Sequence, residues 1–148
     1  MPMELQATLR PATESDLDFV HRLVCDLEDQ TFDREKFREF FQQNLSNPMV
    51  TYSIASLDGV DCGFVSVHTQ SLLHHCGRIA EIQELVVAEA FRSRKVGQQV
   101  LHLIREACEA DGIFQLEVCT NRKRVQAQRF YLANGFQDTH HKFCLTLA

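Results

Sequence analysis

The chain has 148 residues, of which 45% are hydrophobic and 24% are charged, and its formal net charge is -5. This length allows one domain with a single core, which we place over residues 1–148, and the composition is typical of a soluble globular protein. The negative charge argues against a nucleic-acid partner, because binding a polyanion requires a basic face.

The first half of the chain predicts a strand, two helices and a hairpin. Residues 5–9 are strand-like, and Thr13 is a suitable N-cap for the amphipathic helix that follows. Residues 33–45 predict a second helix with three phenylalanines on one face. Asp58-Gly59 then separates two β-rich runs, which indicates a β-hairpin.

The second half predicts a long strand, a helix and three further elements. The long strand covers residues 78–87, and the helix covers residues 96–110. A buried strand, another helix and a last strand follow at residues 113–119, 125–133 and 142–147. This order predicts an α/β (α+β) domain with a central mixed sheet, in which antiparallel hairpins precede one strand–helix–strand crossover.

Cysteine usage and the N-terminus bear on the location of the protein. The six cysteines form no CxxC pair, which favours reduced thiols over a zinc site or a disulfide framework. Residues 1–11 contain no apolar h-region, and no stretch approaches the roughly eighteen apolar residues of a membrane span. We therefore expect a cytoplasmic protein.

The junction between residues 78–87 and the following helix has the features of a phosphate site. The strand leads into a loop with Arg92, Arg94 and Lys95, and the loop opens directly onto a helix with Gly97 in its first turn. Free amides at a helix N-terminus and the positive end of the helix dipole favour an anion. A solvated basic turn is the alternative interpretation.

Two motifs at this point resemble the GNAT superfamily of acetyltransferases. The run from Arg92 to Gly97 after LVV is similar to the acetyl-CoA signature, although Lys95 stands where a glycine is usual. If that position needs a positive φ, lysine costs roughly 1 kcal/mol there. The later run TNRKRVQAQRFYLANGF, with Ala127 and Tyr131 on one helix, resembles the second motif of the superfamily.

The resemblance implies a fold, a coenzyme and a set of contacts. The fold is a single domain with a mixed sheet splayed between its fourth and fifth strands, and the co-substrate is acetyl-CoA. The implied coenzyme-binding residues lie at the end of the long strand, in the loop, and in the later motif: Leu85, Val86, Val87, Arg92, Ser93, Arg94, Lys95, Val96, Gly97, Gln98, Asn121 and Ala127. Asn121 could equally be a cap at the end of a strand.

Acetyl transfer to an amine in a ternary complex needs a base and an acid. Tyr131 resembles the general acid of the family, with packing on the coenzyme as its alternative role. Glu81 and Glu84 are the candidate bases, and Glu81 is preferred by its resemblance, although some members use a water chain. Alternation places the two glutamates on opposite faces unless the strand bulges.

Over its whole length the chain resembles the aminoalkylphosphonate N-acetyltransferases. The likeness includes LRPATESD, FDREKFREFFQQNL, LLHH and EIQELVV. It implies a small phosphonate-bearing amine as substrate, a homodimer, and a preference for a divalent metal cation whose ligands stay unknown. The candidate phosphonate-binding residues are His74, His75, Arg78 and Lys142, with surface placement as the alternative for each.

Other functions stay open on the sequence alone. Within enzymes, the acceptor could be a polyamine, an aminoglycoside or a peptide N-terminus. The chain could also be a module that binds acyl-CoA without turnover, which the departure at Lys95 makes worth considering.

Overall fold

The computed structural model describes residues 5–148. Residues 1–4 lie outside the described residues. The predicted domain and the segment expected to carry no secretion signal both begin with these four residues. The chain divides into two compact units, one ending at Glu117 and one formed by Val118–Ala148. Across the described residues, no helix is long and apolar enough to cross a membrane.

The regular elements follow one another in nearly the predicted order. The strands are β1 (Ala7–Pro11), β2 (Val50–Leu57), β3 (Val60–Leu72), β4 (Gly77–Val87) and β5 (Gln115–Val118). The helices are α1 (Leu17–Glu28), α2 (Arg34–Leu45), α3 (Val96–Ala110) and α4 (Val125–Ala133). Short 3-10 helices, which the sequence did not predict, occupy Glu14–Asp16, Leu73–His75 and Glu89–Arg94.

The five strands form one mixed sheet in the order β1-β2-β3-β4-β5. β1, β2, β3 and β4 are joined by antiparallel pairing. β1 starts two residues later than predicted and ends on Pro11, which pairs with Ser53. Proline is tolerated there because β1 is an edge strand, where one N–H is not needed by a neighbour. The predicted splay between the fourth and fifth strands stays a prediction.

Helices α1 and α2 pack on one face of the sheet. Their buried side chains, among them Val20, Leu23 and Phe41, form a core cluster with Ile54 and Phe64 of the sheet. α3 lies against β1 and β4 and buries its own apolar stripe of Val96, Val100, Leu101 and Ile104. The amphipathic patterns of the helices therefore become the two covering layers of the sheet.

The start of α1 is held by an ion pair whose carboxylate is buried and whose guanidinium is partly exposed. The Asp16 carboxylate accepts hydrogen bonds from Arg10 Nη1 at 2.9 Å, from Arg10 Nη2 at 2.8 Å and from the Thr13 backbone N–H at 2.8 Å. These bonds, the arginine first, lower the pKa of Asp16 against the opposing effect of burial. They also explain why a 3-10 turn precedes α1.

The predicted last strand, residues 142–147, is wrong. Residues 136–148 form neither a helix nor a strand, and Phe143, Leu145 and Leu147 are 92%, 84% and 89% exposed. The alternation of apolar residues is that of a strand, but alternation alone does not supply the neighbouring strand whose N–H and C=O groups a ladder requires.

Candidate active site

A β-bulge in β4 decides which glutamates face α1 and α2. The register with β3 pairs Ser66 with Glu84 but Val67 with Ile82, so Gln83 is the extra residue. Cross-strand partners share a face. Glu84 and Glu81, the partners of Ser66 and His68, therefore lie on the same face of the sheet.

Glu84 is fixed by its neighbour on β3. The buried Ser66 hydroxyl donates to the Glu84 carboxylate and accepts a hydrogen bond from the Glu84 backbone N–H at 3.0 Å. These two hydrogen bonds hold the pair beside the bulge, so the carboxylate has a defined position. Glu81 also lies half-buried on this face, two strand pairings further towards the β3–β4 connection.

The Glu84 side chain lines a cavity of about 360 Å³ between α1, α2 and the sheet. Its wall is mostly aromatic and aliphatic, formed by Val20, Val24, Phe32, Phe37, Phe40, Phe41 and Phe64, and its polar lining is Asp33, Lys36, Asn44, Tyr52 and Glu84. A largely apolar pocket with a few convergent polar groups is the usual form of a small-molecule site.

Tyr52 and Asn44 form a hydrogen-bonded pair in this cavity. Asn44 Nδ2 donates to the Tyr52 hydroxyl at 2.6 Å. Burial raises the pKa of Tyr52, the hydrogen bond from Asn44 opposes this, and the negative charge of Glu84 adds to it. Tyr52 is therefore a neutral hydroxyl close to the Glu84 carboxylate.

The predicted coenzyme residues of β4 keep their strand pairing. Leu85, Val86 and Val87 pair with Val65, Phe64 and Gly63 of β3. The Val86 side chain is buried in the core cluster, so only its backbone could serve a ligand. β3 and β4 approach closely here, because a Cβ at Gly63 would lie 2.9 Å from the Val86 carbonyl oxygen.

The predicted phosphate loop ends in a strained residue. Lys95 has φ 56° and ψ 24°, in the left-handed region, and is the N-cap of α3. Val96 is buried, Gly97 is half-buried, and Gln98 is exposed in the first turn. The free amides of this turn and the helix dipole can hold an anion, as the sequence predicts.

The arginines of the loop differ in their partners. Arg92 Nε donates to the Val87 carbonyl oxygen at 3.0 Å, which ties the 3-10 turn to the end of β4. The Arg94 guanidinium lies 5.2 Å from the centre of the Phe91 ring. Both arginines, and Ser93 between them, are exposed, so two cations stand within three residues of the helix N-terminus.

The smaller unit contains the candidate acid. Tyr131 lies on α4 with its ring 5.1 Å from that of Phe130 and 5.3 Å from that of Phe136. Burial raises the pKa of Tyr131 to about 12, and the charge of Arg124 opposes this shift. The phenol therefore keeps its proton at neutral pH. Ala127 is half-buried one turn earlier on the same helix.

Asn121 caps a turn before α4. Its Oδ1 accepts a hydrogen bond from the Lys123 backbone N–H at 2.9 Å, and its backbone oxygen accepts from the Gln128 side chain at 3.1 Å. Asn121 therefore caps this turn rather than the end of β5, which stops at Val118, and a coenzyme contact stays a prediction.

The four predicted phosphonate ligands have different surroundings. Arg78 is committed to the end of α3, where its guanidinium binds the Asp111 carboxylate at 3.0 Å and the Asp111 backbone oxygen. His74 and His75 lie in a short 3-10 helix with their ring centres 4.3 Å apart. Lys142 belongs to the exposed C-terminal segment of the smaller unit.

The described part of the chain offers no metal centre. Within residues 5–148, no three His, Cys, Asp or Glu side chains are grouped so that they could hold an ion. The divalent cation implied by the resemblance stays a prediction.

Sequence reasoning missed the rest of the cavity. Ser66, Tyr52 and Asn44 carry no motif, and Lys36 has the spacing of an ordinary surface residue on α2. The three phenylalanines on one face of α2 were a signal, because they supply much of the cavity wall.

The chain is similar to a known protein family and to a named relative. Residues 49–138 match the acetyltransferase (GNAT) domain family. The chain is 41% identical over 139 residues to an aminoalkylphosphonate N-acetyltransferase of Salmonella typhimurium, which covers 94% of this chain and 90% of that protein.

Solved structures share the fold at low identity. A transcriptional regulator from Bacillus halodurans superposes with a TM-score of 0.85 at 20% identity, covering 96% of this chain and all of that one (100%). The aminoglycoside N-acetyltransferase AAC(6')-Iy in complex with CoA superposes with a TM-score of 0.82 at 18% identity, covering 99% of this chain and 98% of that one.

Proposed function

Because the chain belongs to the GNAT family and is an acetyl-CoA-dependent N-acetyltransferase, we propose that it acetylates the primary amine of a small aminoalkylphosphonate, such as 2-aminoethylphosphonate or 1-aminoethylphosphonate. The named activity of the 41% identical relative supports this substrate class. The structural observation that carries the proposal is the Glu84 carboxylate, held by Ser66 in a cavity of about 360 Å³.

The coenzyme is assigned to the N-terminus of α3 and the end of β4. The pyrophosphate binds the first-turn amides of α3, with Arg92, Arg94 and Lys95 supplying positive charge. The backbone of Leu85 and Val87 pairs with the pantetheine arm, and Val86 keeps that backbone in place through its buried side chain. Ser93, Val96, Gly97 and Gln98 complete the loop around the phosphates.

Glu84 and Tyr131 are assigned the two proton transfers. The substrate ammonium loses one proton to the Glu84 carboxylate, its nitrogen forms a bond to the acetyl carbonyl carbon, and the carbon–sulfur bond breaks. The departing thiolate takes the proton of the Tyr131 hydroxyl, which the raised pKa of about 12 keeps protonated at neutral pH. The second proton that the nitrogen loses as the amide forms restores the Tyr131 hydroxyl, and Glu84 releases its proton to solvent. Glu84 is preferred to Glu81 because Glu84 lines the cavity.

The size and lining of the cavity favour a small acceptor. A volume of about 360 Å³ lies at the low end for ligand sites. A polyamine or an aminoglycoside carries several ammonium groups, whereas the lining has a lysine beside its two carboxylates. The positive charge of this lysine disfavours an acceptor with several positive charges. A module without turnover would not need a carboxylate held at a fixed position on β4.

The assay for this proposal is thiol release from acetyl-CoA with a panel of amines. We expect turnover of 2-aminoethylphosphonate or 1-aminoethylphosphonate, and none of spermidine, an aminoglycoside or a short peptide at the same concentration. Turnover of one of the latter alone would refute the substrate class. Repeating the assay with EDTA tests whether a metal brought by the substrate takes part.

The choice of base is tested by Glu84→Gln beside Glu81→Gln. We expect Glu84→Gln to lower kcat by about 10²- to 10⁴-fold, the usual contribution of a general base, and Glu81→Gln to lower it by much less. The reverse ranking would assign the base to Glu81, and equal small effects would favour a water chain.

A homodimer is proposed from the C-terminal segment. Phe143, Leu145 and Leu147 alternate as in a strand and are exposed, and β5 is an edge of the described sheet. Two copies can exchange these segments about a two-fold axis, each segment pairing with β5 of the second copy. Burying each of the three side chains would stabilise the dimer by about 1.5–3 kcal/mol.

Light scattering tests the dimer. We expect the wild type at twice the chain mass of 17.0 kDa and Leu145→Asp shifted to the single-chain mass. Val60→Asp, at an exposed apolar residue of the β2–β3 hairpin, is the matched control and should leave the mass unchanged. A wild-type protein that stays at 17.0 kDa at assay concentration would refute the dimer.

A cytoplasmic location is proposed from the cysteines. Within residues 5–148 none of the six cysteines forms a disulfide, and two of them are half-buried, one is buried and three are exposed. Exposed thiols stay reduced in reducing compartments. The location can be tested by fractionating cells of the native host. Recovery of the protein outside the cytoplasmic fraction would contradict it.

A further inference from the structure

We propose that Lys36 binds the anionic group of the acceptor, and that the cavity between α1, α2 and the sheet holds a short molecule with its amine beside Glu84 and its anion beside Lys36. This inference rests on the proposed function and names the cation that recognises the phosphonate. It replaces the cluster of His74, His75, Arg78 and Lys142 expected from the sequence.

Among the described residues that line the cavity, Lys36 is the one with a positively charged side chain. The neighbouring cations of α2 are already paired: Arg34 binds Asp18 at 2.7 Å, and Arg38 binds Glu35 at 2.7 Å. Lys36 makes no ion pair with any residue in 5–148 within 4.0 Å. Its side chain is exposed, so its charge is available to a ligand.

The two acidic groups of the cavity have different roles. Asp33 caps α2, because its Oδ1 accepts a hydrogen bond from the Lys36 backbone N–H at 2.9 Å. Glu84 lies on the sheet side, next to the buried Ser66 hydroxyl. The cavity thus has a carboxylate on its sheet wall and an ammonium group on its helix wall, which is the complement of an amine joined to an anion.

The walls between these charges are apolar. Phe37, Phe40, Phe41 and Phe64 line the cavity, and Phe40 is 59% exposed although it is large and apolar. A short hydrocarbon linker between amine and phosphonate would cover this surface, and excluding water there would strengthen the attraction at both ends. An acceptor without an anion would leave Lys36 without a partner.

The remaining cationic candidates are less suitable for this role. The Arg78 guanidinium is bound to Asp111 through its carboxylate and its backbone oxygen. Neither His74 nor His75 lines the cavity; their rings contact each other, and the His75 ring also contacts Phe114.

The test separates recognition of the anion from catalysis. With 2-aminoethylphosphonate, Lys36→Ala should raise KM by about 10- to 100-fold, the effect of losing a charge-assisted hydrogen bond, while kcat changes little. With propylamine, which lacks the anion, the same substitution should leave kcat/KM within about twofold. Ethylphosphonate, which lacks the amine, should inhibit the wild type competitively and lose about the same 10- to 100-fold in affinity on Lys36→Ala.

Arg38→Ala is the matched control, because Arg38 is a cation of the same helix that is exposed and paired with Glu35. It should leave the KM for 2-aminoethylphosphonate unchanged, and Lys36→Arg should restore most of the affinity lost in Lys36→Ala. The melting temperature and acetyl-CoA affinity of each variant report on folding.

The possible failures are distinguishable. If the wild type turns over 2-aminoethylphosphonate and Lys36→Ala leaves its KM and the ethylphosphonate inhibition unchanged, the role of Lys36 is refuted and the substrate stands. If Lys36→Ala lowers kcat/KM equally for 2-aminoethylphosphonate and propylamine, Lys36 contributes to the shape of the cavity and does not bind the anion. If the wild type acetylates other amines only, the proposed substrate fails, and this inference fails with it.

Discussion

The strained N-cap of α3 gives a prediction with a calculable size. Lys95 has φ 56°, and a side chain in the left-handed region costs roughly 1–2 kcal/mol. Glycine removes this cost but loses about 0.5–1 kcal/mol through its greater freedom in the unfolded chain. Lys95→Gly should therefore stabilise the protein by about 0.5–1 kcal/mol, or about 1–4 °C in melting temperature for a chain of this size.

Lys95→Ala separates the strain from the charge. Alanine keeps a Cβ in the strained conformation, so its stability should match that of the wild type, and both substitutions should weaken acetyl-CoA binding by the same factor. Asp58→Gly, at φ 50° in the β2–β3 turn, should give a similar stabilisation without altering acetyl-CoA affinity. Thermal melts and calorimetric titration measure the two effects, and a glycine variant no more stable than the alanine variant would refute the strain.

Three further substitutions test other parts of the structure. Asp16→Asn should cost about 1 kcal/mol at neutral pH, because the partly exposed Arg10 loses one of its two carboxylate partners and keeps Asp61. Since the folded pKa of Asp16 lies below 3.8, this cost is present above that pH and disappears as the pH falls through the folded pKa, which melts at pH 7 and pH 3 would show. Tyr131→Phe should lower kcat by about 10²- to 10⁴-fold with acetyl-CoA affinity kept, and unchanged turnover would remove the acid role. Gly63→Ala should destabilise the β3–β4 pair, since its Cβ would meet the Val86 carbonyl oxygen at 2.9 Å; an unchanged urea midpoint would contradict that contact.

The parts of the fold predicted from sequence are those with a strong local pattern. α3 was predicted over residues 96–110 and is observed as Val96–Ala110, because its apolar stripe and the Asp111-Gly112 end are both local signals. The β2–β3 hairpin followed from Asp58-Gly59 for the same reason. The positive φ considered for Lys95 is also observed.

The parts that sequence could not supply depend on which elements meet. Ser66 is an ordinary strand serine until the register places it opposite Glu84. Lys36 resembles its neighbours Arg34 and Arg38 in the sequence. The structure distinguishes it from them, because both arginines form ion pairs and Lys36 forms none with the described residues. The C-terminal alternation predicted a strand at residues 142–147 that is not observed, because a strand forms only where a partner strand is present.

The bulge at Gln83 means that β4 changes phase along its length. Before it, odd-numbered residues such as Glu81 face α1 and α2; after it, even-numbered residues such as Glu84 and Val86 do so. Without the bulge, the same sequence in regular alternation would turn Glu84 and Val86 away from α1 and α2 if the half of β4 before Gln83 kept its face. Deleting Gln83 should instead leave Ser66 opposite Glu84 and Val67 opposite Ile82, so both halves would keep their faces in a regular ladder. The bulge therefore lets β4 accommodate one extra residue while Glu81, Glu84 and Val86 stay on one face.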